Sequence, residues 1–191
     1  MSTSIPITES QHAEIMKAMN ENTLFYKRNP QVIAILITES STGLRLGDVL
    51  SLTLSQFRAS DKGYRLKIRE KKTGKERDVP VPAELYAYLT EYAMSRGRKR
   101  DQTIFTLTPR AVTKYIKKVT DYLGLENVSS HSWRKMYCLQ IYEKSGNDLV
   151  AVQQAMLHSS LAVTQRYLNR RSEKLESILQ NHCNIVNLEE E

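Results

Sequence analysis

Tyr64-Arg65-Leu66-Lys67-Ile68-Arg69 and, ten residues on, Val79-Pro80-Val81 are the stretches whose reading decides the fold. Tyr64, Leu66 and Ile68 alternate with Arg65, Lys67 and Arg69, a period of two that predicts a strand with one wet, basic face. Val79 and Val81 mark the returning strand, and Thr73-Gly74 supplies the turn. Lys71-Lys72-Thr73-Gly74-Lys75 is therefore the tip of a basic hairpin.

The chain on either side reads as helices. Thr8 and Gln11 have capping-box spacing and predict a helix from about Glu9 to Asn20. Pro30 suits a first helical turn, so a second helix runs from it through Val32–Ile37 to Ser40-Ser41-Thr42-Gly43. A short helix follows over Gly47–Leu52. Beyond Pro82, Leu85, Leu89 and Tyr92 share one face of a helix that closes before Gly97. Val112, Ile116, Val119 and Leu123 form the stripe of another, stopped at Gly124. Helices over 131–145, 148–157, 161–168 and 172–181 complete the reading. The expected fold class is mainly α with a small antiparallel β-sheet (α+β).

The chain has 191 residues, enough for one domain that buries about two-thirds of its unfolded surface. Apolar residues at 40% and charged ones at 26% are ordinary for a globular protein. The longest apolar run, Val32–Ile37, is far short of the ~20 residues that span a bilayer. No amino-terminal segment has signal-peptide form, and Cys138 and Cys183 are isolated thiols, so the expected location is a reducing cytoplasm.

Charge narrows the partner. The net charge is +7, from 28 basic and 21 acidic side chains. Eight of the sixteen residues from Lys62 to Arg77 are basic, as are four of the five from Arg96 to Arg100. The chain ends in Glu189-Glu190-Glu191. A basic face with a separate acidic tail suits a polyanion, because cations near phosphates release condensed counterions.

Chemistry is sparse. No zinc spacing, nucleotide cradle or GxSxG elbow occurs, and no metal site is expected. Of four histidines, His12, His131, His158 and His182, each taken alone reads as a surface or packed residue. His131-Ser132-Trp133-Arg134 is more informative, since it sets His and Arg three apart on one helix face near a helix start.

Four segments together resemble the tyrosine recombinase (phage integrase) family. Thr42-Gly43-Leu44-Arg45, with Asp48 three residues after the arginine, is similar to its first box. Lys72-Thr73-Gly74-Lys75-Glu76-Arg77-Asp78-Val79-Pro80 resembles the hairpin that carries its active-site lysine. His131–Arg134 resembles its HxxR box, and His158-Ser159-Ser160-Leu161-Ala162-Val163-Thr164-Gln165-Arg166-Tyr167 the last box, a histidine nine residues before a nucleophilic tyrosine.

The resemblance implies a site-specific recombinase that breaks and rejoins DNA strands through a 3′-phosphotyrosyl intermediate. It implies Arg45, Lys72, His131, Arg134, His158 and Tyr167 as the catalytic set, with Tyr167 the nucleophile and no cofactor. Those residue types suit the chemistry. Two guanidiniums can fork onto the extra negative charge of a pentacoordinate phosphorus. A phenol of pKa near ~10 needs a base, here His131 with His158 as partner, and the leaving 5′ oxygen needs an acid, here Lys72. Arg69, Lys71, Lys75, Arg77, Arg98, Lys99 and Arg100 are expected to face DNA.

Two departures stand out: Leu157 where relatives usually have Gly, and Lys135 where many have a second His. The boxes begin near residue 41, so the expectation is a single catalytic domain over 1–181 without an N-terminal core-binding domain, either an excised fragment or a compact member. Residues 182–191 form a tail that packs on a neighbouring protomer or simply dangles. The expected partners are double-stranded DNA, further copies in a tetramer on paired sites, and an accessory DNA-bending factor, with no membrane. A topoisomerase-like relaxing enzyme and a non-catalytic DNA-binding regulator are the competing readings.

Overall fold

Thr8 opens the first helix through the predicted capping box. Its hydroxyl accepts from the Gln11 N–H, and the Gln11 side chain accepts from the Thr8 N–H, starting α1 (Glu9–Met19). Asn29 caps α2 (Pro30–Thr42), accepting from the N–H groups of Gln31 and Val32. The computed structural model describes residues 4–157 and 160–168, with side chains through 165. The predicted helix over 172–181 and the tail over 182–191 lie outside the described residues.

After α2 come α3 (Leu46–Val49) and a single 3₁₀ turn at Leu54–Gln56. The sheet follows as β1 (Phe57–Ser60), β2 (Gly63–Arg69) and β3 (Glu76–Val81). Then come α4 (Ala83–Ser95), α5 (Pro109–Tyr122), α6 (Ser130–Lys144), α7 (Leu149–Met156) and α8 (Leu161–Leu168). The mainly α architecture with a small antiparallel sheet is as expected.

Two details differ. The short helix spans Leu46–Val49 rather than Gly47–Leu52, because the chain breaks after it into the 3₁₀ turn. The hairpin also has a third strand: β1 pairs antiparallel with β2, giving the order β1-β2-β3. β1 has four residues and buries only Phe57, so it carries no alternation from which to recognise it.

The register sets Leu66 opposite Val79 and Ile68 opposite Arg77. Leu66, Ile68, Val79 and Val81 all face the core. Tyr64 stacks on Tyr86 of α4 with ring centroids 3.8 Å apart, fastening the sheet to the helices. α2 lies in the middle and is buried over Val32–Leu36. Its buried Thr38 and Thr42 hydroxyls donate to carbonyls one turn back, at Ala34 and Thr38, so neither is left unpaired. Trp133 of α6 is fully buried, and its indole N–H donates to His12 Nδ1 at 3.0 Å, joining α6 to α1. His12 is thus a packing histidine, and burial lowers its pKa. Among the described residues, no helix is long and apolar enough to cross a membrane.

Gly43 ends α2 in the left-handed region, at φ 62°, with its N–H donating to the Glu39 carbonyl. A Cβ there would sit 2.4 Å from the Tyr137 ring. Two independent constraints therefore require glycine, one of dihedral and one of space. Gly43→Ala is expected to lower stability by about 2 kcal/mol or more, combining left-handed strain with displacement of a packed ring. Urea denaturation measures it.

Candidate active site

The ends of two helices prepare the site. α2 stops at Thr42-Gly43 and α7 at Ala155-Met156, and each presents main-chain carbonyls that no helical N–H can reach. Two buried guanidiniums take them. Arg134, on α6, donates through Nη1 to the Gly43 carbonyl and through Nη2 to the Met156 carbonyl at 3.4 Å. Arg77, on β3, donates through Nη2 to the carbonyls of Thr42 at 3.3 Å and Ala155 at 2.6 Å. Its Nη1 reaches the Gly43 carbonyl at 3.5 Å and Glu70 Oε1 at 3.4 Å. Cations at helix C-termini are also favoured by the helix dipole.

Arg77 is thereby a correction to the expected DNA-facing set. Only 3% of it is exposed, and its guanidinium is spent on internal acceptors. The reason lies in strand parity: Arg77 shares the inward face of β3 with Val79 and Val81.

Glu70 is the residue that sequence reasoning missed. It sits at 1% exposure just past the end of β2, on the parity of Leu66 and Ile68. Its Oε2 accepts from Arg45 Nη1 at 2.5 Å and from the Thr73 hydroxyl at 2.7 Å, while Oε1 meets Arg77. Burial alone would raise the carboxyl's pKa. The Thr73 hydroxyl and the Arg45 and Arg77 guanidiniums outweigh burial and hold it below its ordinary value, so it stays ionised. The alternation that located the strand was the available signal: continued two residues, it turns Glu70 inward.

Arg45 precedes α3, and its side chain is 25% exposed with one nitrogen on Glu70. Arg45, Glu70, Arg77, the Gly43 carbonyl and Arg134 form an unbroken series of contacts. Asp48 of α3 accepts from the Lys71 N–H at 2.9 Å and so ties the hairpin tip to the same place.

His131 lies in the first turn of α6. Partial desolvation lowers its pKa, and the positive charges of Arg134, Lys135, Arg45 and Lys72 lower it further, to about 4. Four of the predicted catalytic residues, Arg45, Lys72, His131 and Arg134, are thus brought into one neighbourhood. His158 lies outside the described residues. Tyr167 falls within α8, seven residues after Ser160, and its side chain is not among those described.

The remaining basic residues divide. Arg69, Lys71, Lys72 and Lys75 are exposed along the hairpin. Lys75 Nζ points to the Leu157 carbonyl at 3.4 Å, beside the last box. Arg98, half-buried, and Lys99 and Arg100, exposed, follow α4 as a second basic surface, and the Arg100 carbonyl accepts from the Ser55 N–H of the 3₁₀ turn. Lys135 is buried and donates to the Ser4 carbonyl at 2.5 Å, a tether rather than a ring in the pocket. Leu157 caps α7 at φ 51°, a left-handed position that explains why glycine suits it. Among the described residues, no three His, Cys, Asp or Glu side chains cluster as metal ligands.

This fold is that of tyrosine recombinase catalytic domains. Over 92% of the chain it superposes, at a TM-score of 0.70 and 21% identity, on 54% of the XerH site-specific recombinase bound to difH substrate. It likewise matches the catalytic domain of bacteriophage HP1 integrase, covering 93% of this chain and 95% of that one at a TM-score of 0.65 and 19% identity. The chain belongs to the phage integrase family, whose profile matches residues 6–174. Similar sequences include tyrosine recombinase XerC of Agrobacterium fabrum, 28% identical over 92% of this chain and 58% of that protein. XerC of Xanthomonas axonopodis pv. citri is 33% identical over 70% of this chain and 45% of its own length. The chain thus spans about half of the curated relatives it matches.

Two outcomes are expected. Arg77→Met should cost about 3–5 kcal/mol in urea denaturation, because it removes the donors to three carbonyls and one of the two guanidiniums on the buried Glu70 carboxylate, whereas loss of a surface phosphate contact would cost little. NMR titration of His131 should show a ring that stays neutral down to about pH 4. Adding DNA should raise that pKa, since phosphate charge offsets the surrounding cations.

Proposed function

We propose that this chain is the strand-cleaving part of a site-specific DNA recombinase, acting on a phosphodiester through Tyr167. The observation that carries the reading is the run of contacts from Arg45 through Glu70, Arg77 and the Gly43 carbonyl to Arg134, whose charges, with that of Lys72, act on His131. The cations keep the ring unprotonated at neutral pH, and a phosphate that offsets their charge raises its basicity so that it can take a proton.

The Tyr167 oxygen attacks phosphorus, forming the phosphotyrosyl bond as the bond to the 5′ oxygen breaks. His131 takes the phenolic proton and Lys72 delivers one to the departing 5′ oxygen. Arg45 hydrogen-bonds the non-bridging oxygens as their charge grows, Arg134, held on the Gly43 and Met156 carbonyls, adds its positive charge from behind, and His158 assists by hydrogen bonding. The phosphodiester energy is conserved in the 3′-phosphotyrosyl bond, so a second strand end can reverse the step without ATP.

The family supports the reading: relatives are named tyrosine recombinases, and XerH is described bound to its difH substrate. Double-stranded DNA is the partner, gripped by Arg69, Lys71 and Lys75 along the hairpin and by Arg98, Lys99 and Arg100 on the second basic surface. Copies assemble as a tetramer on paired sites, aided by an accessory DNA-bending factor, in the cytoplasm. The outcome is integration, excision, inversion or resolution of a DNA element.

The test is a library of nicked duplexes with randomised arms, screened for protein–DNA adducts that survive denaturation. Wild-type protein should form them, and peptide mapping should place the DNA on Tyr167. Tyr167→Phe should abolish the adduct, a fall of at least ~10³-fold, while leaving DNA binding intact. Binding without any adduct in the wild type would instead indicate a regulator.

A further inference from the structure

We infer that Glu70 is a positioning residue for strand cleavage, orienting Arg45 toward the phosphate and fixing the Lys72 hairpin tip against it. The inference rests on the recombinase reading above and deepens it.

The geometry is specific. Glu70 holds Arg45 through one nitrogen only, Nη1, and from an interior position, while a quarter of the Arg45 side chain remains open to solvent. A guanidinium has five N–H donors in a rigid fork. A carboxylate gripping one corner from inside leaves the outer edge of that fork aimed at whatever enters the pocket. The same Oε2 accepts from the Thr73 hydroxyl, the residue after Lys72. The Glu70 main chain closes the tip as well, its N–H donating to the Lys75 carbonyl and its carbonyl accepting from Gly74. One buried carboxylate therefore binds the two elements that deliver a phosphate clamp and a general acid. Its other oxygen, on Arg77, anchors the assembly to the carbonyls ending α2 and α7.

A purely structural ion pair would have no need of Thr73, and a competitor for the phosphate would cover the exposed edge of Arg45 rather than its buried corner. Both features favour orientation. Glu70→Gln keeps the shape and an acceptor for Thr73 but removes the charge that aligns the guanidinium.

The experiment uses the full chain and a nicked duplex that the wild type has been shown to trap. At saturating DNA, Glu70→Gln should slow single-turnover cleavage by about 30-fold while DNA affinity falls less than about threefold. In a double-mutant cycle, Glu70→Gln should add little once Arg45→Lys is present, because both act through one guanidinium. Nitrogen-detected NMR of the Arg45 guanidinium, without DNA, should show hindered rotation in wild type and free rotation in Glu70→Gln. Thr73→Ala, at an exposed position that folding tolerates, should slow cleavage by about fivefold with affinity unchanged.

Unchanged or faster cleavage in Glu70→Gln would overturn the inference, as would additive effects with Arg45→Lys or an equal loss of binding and rate. If Glu70→Gln does not fold, Thr73→Ala decides alone, and an unchanged rate overturns the idea. Wild-type protein that traps no duplex would count against the recombinase reading instead, while the NMR arm would still report whether Glu70 holds Arg45.

Discussion

The site depends on one constraint: the carbonyls left over where α2 and α7 end must be satisfied away from bulk water. A buried carbonyl without a donor costs about as much as a lost hydrogen bond, and here several converge. Arg77 and Arg134 supply donors to Thr42, Gly43, Ala155 and Met156. Packing thus draws two positive charges into one small volume. Gly43 makes the meeting possible, because its left-handed turn points one carbonyl at both guanidiniums beneath the Tyr137 ring.

Two like charges so placed repel, and burial and the Arg134 charge both lower the Arg77 pKa. Glu70 offsets that repulsion and extends the network outward to Arg45. The order runs from structural to functional: buried Arg77, then Glu70, then quarter-exposed Arg45, then the exposed lysines of the hairpin tip. Lys72 contributes to the field at His131, while Lys75 reaches the Leu157 carbonyl.

Much of this was legible in the sequence. Helix starts at Thr8 and Pro30, stops at Gly43 and Gly124, and the alternation of Leu66, Ile68, Val79 and Val81 all follow from local stereochemistry that tertiary packing does not override. The four boxes located Arg45, Lys72, His131 and Arg134. Arg77 was misjudged because charge was weighed above parity: a lone basic residue in a basic hairpin reads as wet, although its place opposite Ile68 turns it inward. Glu70 escaped notice for the same reason, an acid hidden among lysines. Parity marks both side chains as inward, but not that the helix ends that need Arg77 lie across from the strand, and that is long-range information.

The two buried carboxyls near these cations carry the argument one step further. Glu39 and Glu70 are equally buried, yet they titrate in opposite directions. Burial pushes Glu39 well above its ordinary pKa, only partly relieved by Arg134, and its Oε2 has no hydrogen-bond partner. Glu70 is ionised because hydroxyl and guanidinium donors are aimed at its oxygens. Hydrogen bonds from Thr73 and Arg45, together with two guanidinium charges against one at Glu39, therefore decide which carboxyl neutralises the pocket. Burial disfavours the charged form of Glu39, the Glu70 carboxylate is paired with Arg45 and Arg77, and Arg134 and Lys72 add positive charge at His131, so the pocket retains an excess of positive charge. A phosphodiester entering it supplies the missing anion, and a pentacoordinate phosphorus with more negative charge supplies it better. Binding that strengthens as charge develops is what lowers a barrier rather than merely holding a substrate.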